Sequence, residues 1–204
     1  MKNKLIALFA LVFTLNLTAQ TVIIPNENDS RVITTGVPFI LIAPDARAAG
    51  MGDMGVATSV DAFSQQWNSS KYVFSEAKSG VGISYTPYLS KLVNDIFLGN
   101  LTYYKKFDDR SAISASFRYF SMGEIEFRTS ADDVGVIEKP NEFTIDLGYS
   151  LKLSDRFAMG VAMKYLRSDL KLQSTIVGAS AKAAGSFAVD ITGYYESEEK
   201  AYSS

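Results

Sequence analysis

The 204-residue sequence carries 20 basic and 22 acidic residues, a formal net charge of −2, and neither Cys nor His. Without His it lacks the usual general base, the commonest metal ligand and the middle member of a Ser-His-Asp triad, which argues against many hydrolases and metalloenzymes. Dispersed basic residues argue against nucleic acid as a partner, and no disulfide can form even if the chain is exported.

Lys2 and Lys4 precede an apolar stretch from Leu5 to Leu17, broken by Thr14 and Asn16 and closed by Thr18-Ala19-Gln20. That order is the order of a secretory signal peptide, and the stretch falls short of the roughly 20 apolar residues that a membrane-spanning helix needs. Residues 1–19 are therefore expected to be a signal peptide, cleaved after Ala19 or Gln20. A buried N-terminal helix is the competing reading, but nothing amphipathic follows to pack against it. Residues 20–36, around Pro25-Asn26-Glu27-Asn28-Asp29-Ser30, read as a flexible polar tail.

Residues 37–78 are rich in Gly and Ala and alternate little, which suits a plug, or hatch, folded inside or across the periplasmic mouth of a barrel. Gly50-Met51-Gly52-Asp53-Met54-Gly55 matches the dinucleotide spacing G-x-G-x-x-G. No βαβ unit surrounds it, so nucleotide binding is not expected. Gly50, Gly52 and Gly55 are instead expected in tight backbone packing. Asp45 and Arg47 offer a buried ion pair or a helix start. Trp67, with Asn68 beside it, is expected to anchor the plug against the barrel wall or to sit at an interface.

From residue 79 the pattern changes to period two. Phe143, Ile145, Leu147, Tyr149 and Leu151 alternate with Thr144, Asp146, Gly148, Ser150 and Lys152. Similar runs cover residues 113–119, 157–165 and 186–195. Alternation gives one apolar and one polar face, and the runs approach or exceed the roughly 9–11 residues of a tilted membrane-spanning strand. Phe143, Ile145, Leu147, Phe157, Val161, Phe187, Val189 and Ile191 are expected to face lipid. An Arg at Leu147 should then cost far more than one at Asp146. Short turns at residues 107–110 and 153–156 alternate with long connections at 129–141 and 171–182, as in outer-membrane barrels. A shift of 46 residues carries Tyr103 to Tyr149 and Tyr149 to Tyr195. Such a repeat returns a Tyr to one end of a barrel, where an aromatic girdle needs it.

A soluble sandwich or lipocalin-like barrel also alternates, with its apolar face inward. Strand length and the export signal favour the membrane. Arg118, Asp146, Lys164 and Asp190 then point into the lumen, where each cation is expected to pair with an acid on a neighbouring strand. About six strands are visible before residue 195, fewer than the usual minimum of eight for closure. The fold class is thus all-β, a transmembrane antiparallel barrel with an N-terminal hatch, of which residues 79–204 are expected to be the first strands of a longer protein. Leu89, Leu92 and Val93, apolar residues in the connection from 89 to 95, are the candidate partner-binding residues. No catalytic, cofactor or metal site is expected.

The run from Pro38 to Gly52, followed by Gly55-Val56-Ala57, resembles the hatch of FadL-like barrels. Ser64-Gln65-Gln66-Trp67-Asn68 and Ser84-Tyr85-Thr86-Pro87-Tyr88 narrow the resemblance to the PorV family, outer-membrane components of the type IX secretion system in Bacteroidetes. The resemblance covers about residues 37–195. It departs at Ser69-Ser70, where the family usually carries Pro-Ala after Trp-Asn, which puts the local turn in question. It implies a non-enzymatic, FadL-type barrel that binds a large secretion-pore protein. It also implies that the barrel receives cargo bearing a C-terminal sorting domain and passes it to attachment-complex proteins, within outer-membrane lipid. The alternative it leaves open is a channel for long-chain fatty acids or other hydrophobic small molecules.

Overall fold

The computed structural model describes residues 37–89, 91, 95–128, 136–170 and 183–197. The expected signal peptide and tail, residues 1–36, and Leu92 and Val93 lie outside the described residues. Six strands form one antiparallel sheet in the order β1 (Ser79–Pro87), β2 (Ile96–Lys106), β3 (Ser111–Met122), β6 (Asn141–Ser154), β7 (Phe157–Asp169) and β8 (Ala184–Tyr195). Between β3 and β6, β4 (Ile125–Phe127) and β5 (Val136–Glu138) make a separate two-stranded hairpin. The connection expected to be a long loop is therefore partly a hairpin. Its base is tied by a Lys139–Glu124 ion pair of 2.5 Å. β1 and β8 do not pair with each other, so the sheet is open, a partial barrel. Among the described residues no helix is long and apolar enough to cross a membrane.

The register explains why the sequence alternates. In β6, Thr144, Asp146, Gly148 and Ser150 are buried, while Ile145, Leu147, Tyr149 and Leu151 are exposed. β7 and β8 place Val161, Met163, Val189 and Ile191 on the same exposed face. Apolar side chains outside and polar or tiny ones inside invert the pattern of a soluble sheet, and a continuous apolar face of this size needs a non-aqueous neighbour.

Aromatic rings mark the two ends of that face. Toward the long connections, rings touch across every strand: Tyr85–Phe97 (5.2 Å), Phe97–Tyr119 (5.9 Å), Phe117–Phe143 (6.1 Å), Phe143–Tyr165 (6.1 Å) and Tyr165–Phe187 (5.0 Å). Toward the short turns stand Tyr103, Tyr149 and Tyr195, all exposed. Tyr103 lies in register with Leu147, two residues from Tyr149, and Tyr149 lies in register with Ile191, four residues from Tyr195. The tyrosine line therefore slips toward the short-turn end by about 1.5 residues per strand. Strands tilted by about 45° and spaced about 4.8 Å apart need about 1.4 to keep such a line level.

The short turn between β2 and β3 is closed by a side chain. Asp108 accepts from the Arg110 and Ser111 amides (2.8 and 2.6 Å) and from the Ser111 hydroxyl (2.8 Å). The Arg110 amide, followed by the Ser111 hydroxyl and amide, holds the Asp108 carboxyl below the usual carboxylate range.

Candidate functional site

Residues 37–78 pack against the inner, polar face of the sheet. They form a 3-10 turn (Pro38–Leu41), α1 (Ala46–Gly50), α2 (Ser64–Trp67) and a second 3-10 helix (Ser69–Phe74). The second 3-10 helix touches β2, β3, β6, β7 and β8. Residues from this part of the segment meet the wall in its short-turn half, whereas Pro38–Leu41 meets Arg118 and Phe120 nearer the long connections. The segment thus runs along the lumen and is not confined to the periplasmic mouth.

Polar bonds seat it. Ser150 Oγ donates to the Ser69 carbonyl (2.7 Å), Asn68 Nδ2 to the Gly193 carbonyl (3.0 Å) and Thr102 Oγ1 to the Ala62 carbonyl (2.7 Å). Ser114 Oγ donates to Gln65 Oε1. A Cβ at Gly160 would lie 2.8 Å from Ser69 Oγ, and one at Gly148 would lie 2.9 Å from Gln65 Oε1. Small and hydroxylated inward residues are therefore what allow the hatch to lie against the wall. Tyr72 stacks on Tyr104 at 4.5 Å, and Tyr104 shares a 2.8 Å hydrogen bond with Ser75.

The hatch bears out one expectation and corrects others. Asp45 is a helix start: its Oδ2 accepts from the Ala48 amide at 2.9 Å. Arg47 pairs with Asp61 (2.8 Å) and not with Asp45, because the capping geometry turns the two side chains to different partners. Trp67 packs over Gly55, inside the hatch: a Cβ on Gly55 would lie 2.3 Å from its ring. Of the three glycines expected in tight packing, only Gly55 is so placed. A Cβ on Gly50 or Gly52 would meet nothing within 4 Å, and Gly52 serves a left-handed turn at φ +73°. Ser69-Ser70 turns without proline because Asn68 Oδ1 accepts from the Ser70 amide at 3.1 Å, an Asx turn.

Lys71 was not singled out by its sequence neighbourhood, yet it is fully buried. Its Nζ donates to the Gly55 carbonyl (2.7 Å) and to Thr58 Oγ1 (3.3 Å), tying the glycine loop to the second 3-10 helix. Burial pushes its ammonium down from 10.5 to about 8, against the attraction of Asp61. The unfolded chain keeps that proton up to the ordinary lysine value, so between those limits it binds more protons than the folded hatch. Hatch stability should then rise with pH, by roughly 3 kcal/mol in all between about pH 8 and about pH 10.5. The checking measurement is hatch unfolding across that range in the parent and in Lys71→Met. Equal slopes in the two proteins would contradict the assignment.

The inward charges divide into two arrangements. Lys164 pairs with Asp190 at 2.6 Å. Arg118 does not pair with an acid among the described residues. Asp146, the nearest candidate, accepts from Ser116 Oγ at 2.7 Å. The Arg118 guanidinium instead donates to the backbone carbonyls of Ile42 (2.6 Å), Ile40 (3.3 Å) and Phe39 (3.4 Å). The first hatch turn lies over it and offers carbonyl oxygens before any carboxylate can reach. Among the described residues no group of acids is placed to hold a metal ion.

A family model described as type IX secretion system protein PorV matches residues 25–204. The chain belongs to that family. The match spans the described hatch and all six strands of the sheet, so the family's outer-membrane place gives the apolar outward face its lipid and the polar inward face its lumen. As a family member the protein is a component of the type IX secretion system. No curated protein matches the chain. The candidate partner residue Leu89 is exposed between β1 and β2, at φ +50°.

Proposed function

We propose that the protein is a non-enzymatic barrel of FadL type that holds the large secretion pore and receives cargo bearing a C-terminal sorting domain, for transfer to the attachment complex. Membership of the PorV family carries this reading. Residues beyond the aromatic line support a docking role for the long-connection end. Leu89, Val136 and Ile137 are 62 %, 51 % and 57 % exposed there. Apolar side chains exposed outside the lipid band cost solubility unless a partner covers them. Leu92 and Val93 belong to the same connection as Leu89 and enter the proposal with it.

Replacing Leu89, Val136 and Ile137 with Ser in the full-length protein is expected to leave the barrel inserted. Co-purification of the pore protein should be lost and cargo display at the surface should fall about tenfold or more, the loss of a small hot-spot cluster. A second set, Leu92→Ser with Val93→Ser, should act in the same direction. Normal display in both sets, together with fatty acid bound to the purified protein, would favour the channel for hydrophobic small molecules. Against that rival, both described mid-strand lumen cations are engaged, Lys164 by Asp190 and Arg118 by carbonyl oxygens.

A further inference from the structure

One register row of the inner wall holds Ser84, Asn100, Arg118 and Thr144 on adjacent strands. Over it lie residues 38–44, which meet the row through their backbone. Ser84 Oγ donates to the Pro44 carbonyl, and Arg118 to those of Phe39, Ile40 and Ile42. Phe39 anchors the segment through its side chain as well. Its ring lies 5.9 Å from the guanidinium carbon and stacks on Phe120 at 6.2 Å. The row is not saturated. Both amide atoms of Asn100, Arg118 Nε and Thr144 Oγ1 are buried without a hydrogen-bond partner. Asn100, Arg118 and Thr144 are 4 %, 1 % and 1 % exposed. Buried polar groups without partners are costly, and a row of them beside a carbonyl-binding guanidinium is a surface built for more bonds than it makes.

We propose that this row is a peptide-binding socket, occupied here by the chain's own residues 38–44 as an exchangeable strap. Its ligand class is a peptide segment that presents successive carbonyl oxygens and one aromatic ring. Recognition through carbonyls is tolerant of sequence, and the ring adds the selection. The socket is independent of the loop-docking reading, because purified protein alone tests it.

The reporter is Ala43→Cys, on the strap at a position 7 % exposed and outside the socket's bonds; residues 1–204 hold no cysteine, and any cysteine elsewhere in the full-length protein is first replaced by Ser. The full-length protein in lipid vesicles is treated with a water-soluble maleimide. The probe is the synthetic peptide Val-Pro-Phe-Ile-Leu-Ile-Ala-Pro at millimolar concentration, which is needed because a tethered strap competes at millimolar effective concentration. The peptide should speed labelling at least about tenfold, and the same peptide with Ala for Phe should not. Arg118→Lys without peptide should also speed it about tenfold, since a lysine cannot span three carbonyls. Labelling unchanged by the peptide would overturn the socket even if Arg118→Lys speeds it, because the strap would then be a fixed part of the wall. Labelling unchanged in an inserted Arg118→Lys protein would overturn it as well. If that variant does not insert, the peptide comparison decides alone.

Discussion

Gly55→Ala is expected to destabilise the hatch by about 3 kcal/mol, the upper end of the range for overpacking. The new methyl would lie 2.3 to 2.4 Å from three ring atoms of Trp67, well inside contact distance. Neither side can yield easily. The Gly55 carbonyl accepts from Lys71 Nζ, and the neighbouring Val56 carbonyl accepts from Asn68 Nδ2 at 3.3 Å. Trp67 ends α2, and Asn68 after it is bonded to β8. Two nearby glycines act as internal controls. Gly52→Ala should cost only about 1–2 kcal/mol, for a left-handed residue with free space around it. Gly50→Ala should be neutral or stabilise by up to about 1 kcal/mol, because it sits in α1 with nothing near its Cβ. Limited proteolysis of the hatch in the inserted full-length protein measures the order. Equal protection in Gly55→Ala and Gly50→Ala would reject the role given to Trp67.

Those three glycines show where sequence reasoning ran out. They read alike in Gly50-Met51-Gly52-Asp53-Met54-Gly55, and only the tertiary position of Trp67 separates them. Arg118 was legible as an inward cation from its place among Ser114, Ser116 and Phe117. Its partners were not, because backbone carbonyls leave no trace in residue type. Lys71 sits in Ser70-Lys71-Tyr72, a context that any exposed lysine could share. The sheet was legible for the opposite reason: one-residue alternation fixes which face each side chain takes, and the register keeps it. The β4–β5 hairpin escaped because three residues are too few to show a period. The open circle of six strands and the outward tyrosines were both visible in the spacing.

Leu147→Arg tests the assignment of that outward face, with an expected cost of about 2–4 kcal/mol to folding into lipid vesicles. Leu147 is 61 % exposed on β6, between the ring of Phe143 at one aromatic line and Tyr149 at the other. A guanidinium there would face hydrocarbon with no inward partner. Asp146, one residue away, is not the harmless control that alternation alone suggests. It is 1 % exposed and bonded to Ser116, and an Arg there would be forced among Arg118 and Lys164. The appropriate control is Leu153→Arg, exposed on the same strand but beyond Tyr149, at the register irregularity before the Asp155-Arg156 turn. Leu153 is 48 % exposed and lies six residues from Leu147, roughly 20 Å along the strand. At that depth an Arg reaches water and should cost about 0–1 kcal/mol. A depth-dependent difference between the two variants is what a lipid face requires. Equal costs would mean that the apolar face meets protein or water instead, and the membrane assignment of β6 would fall.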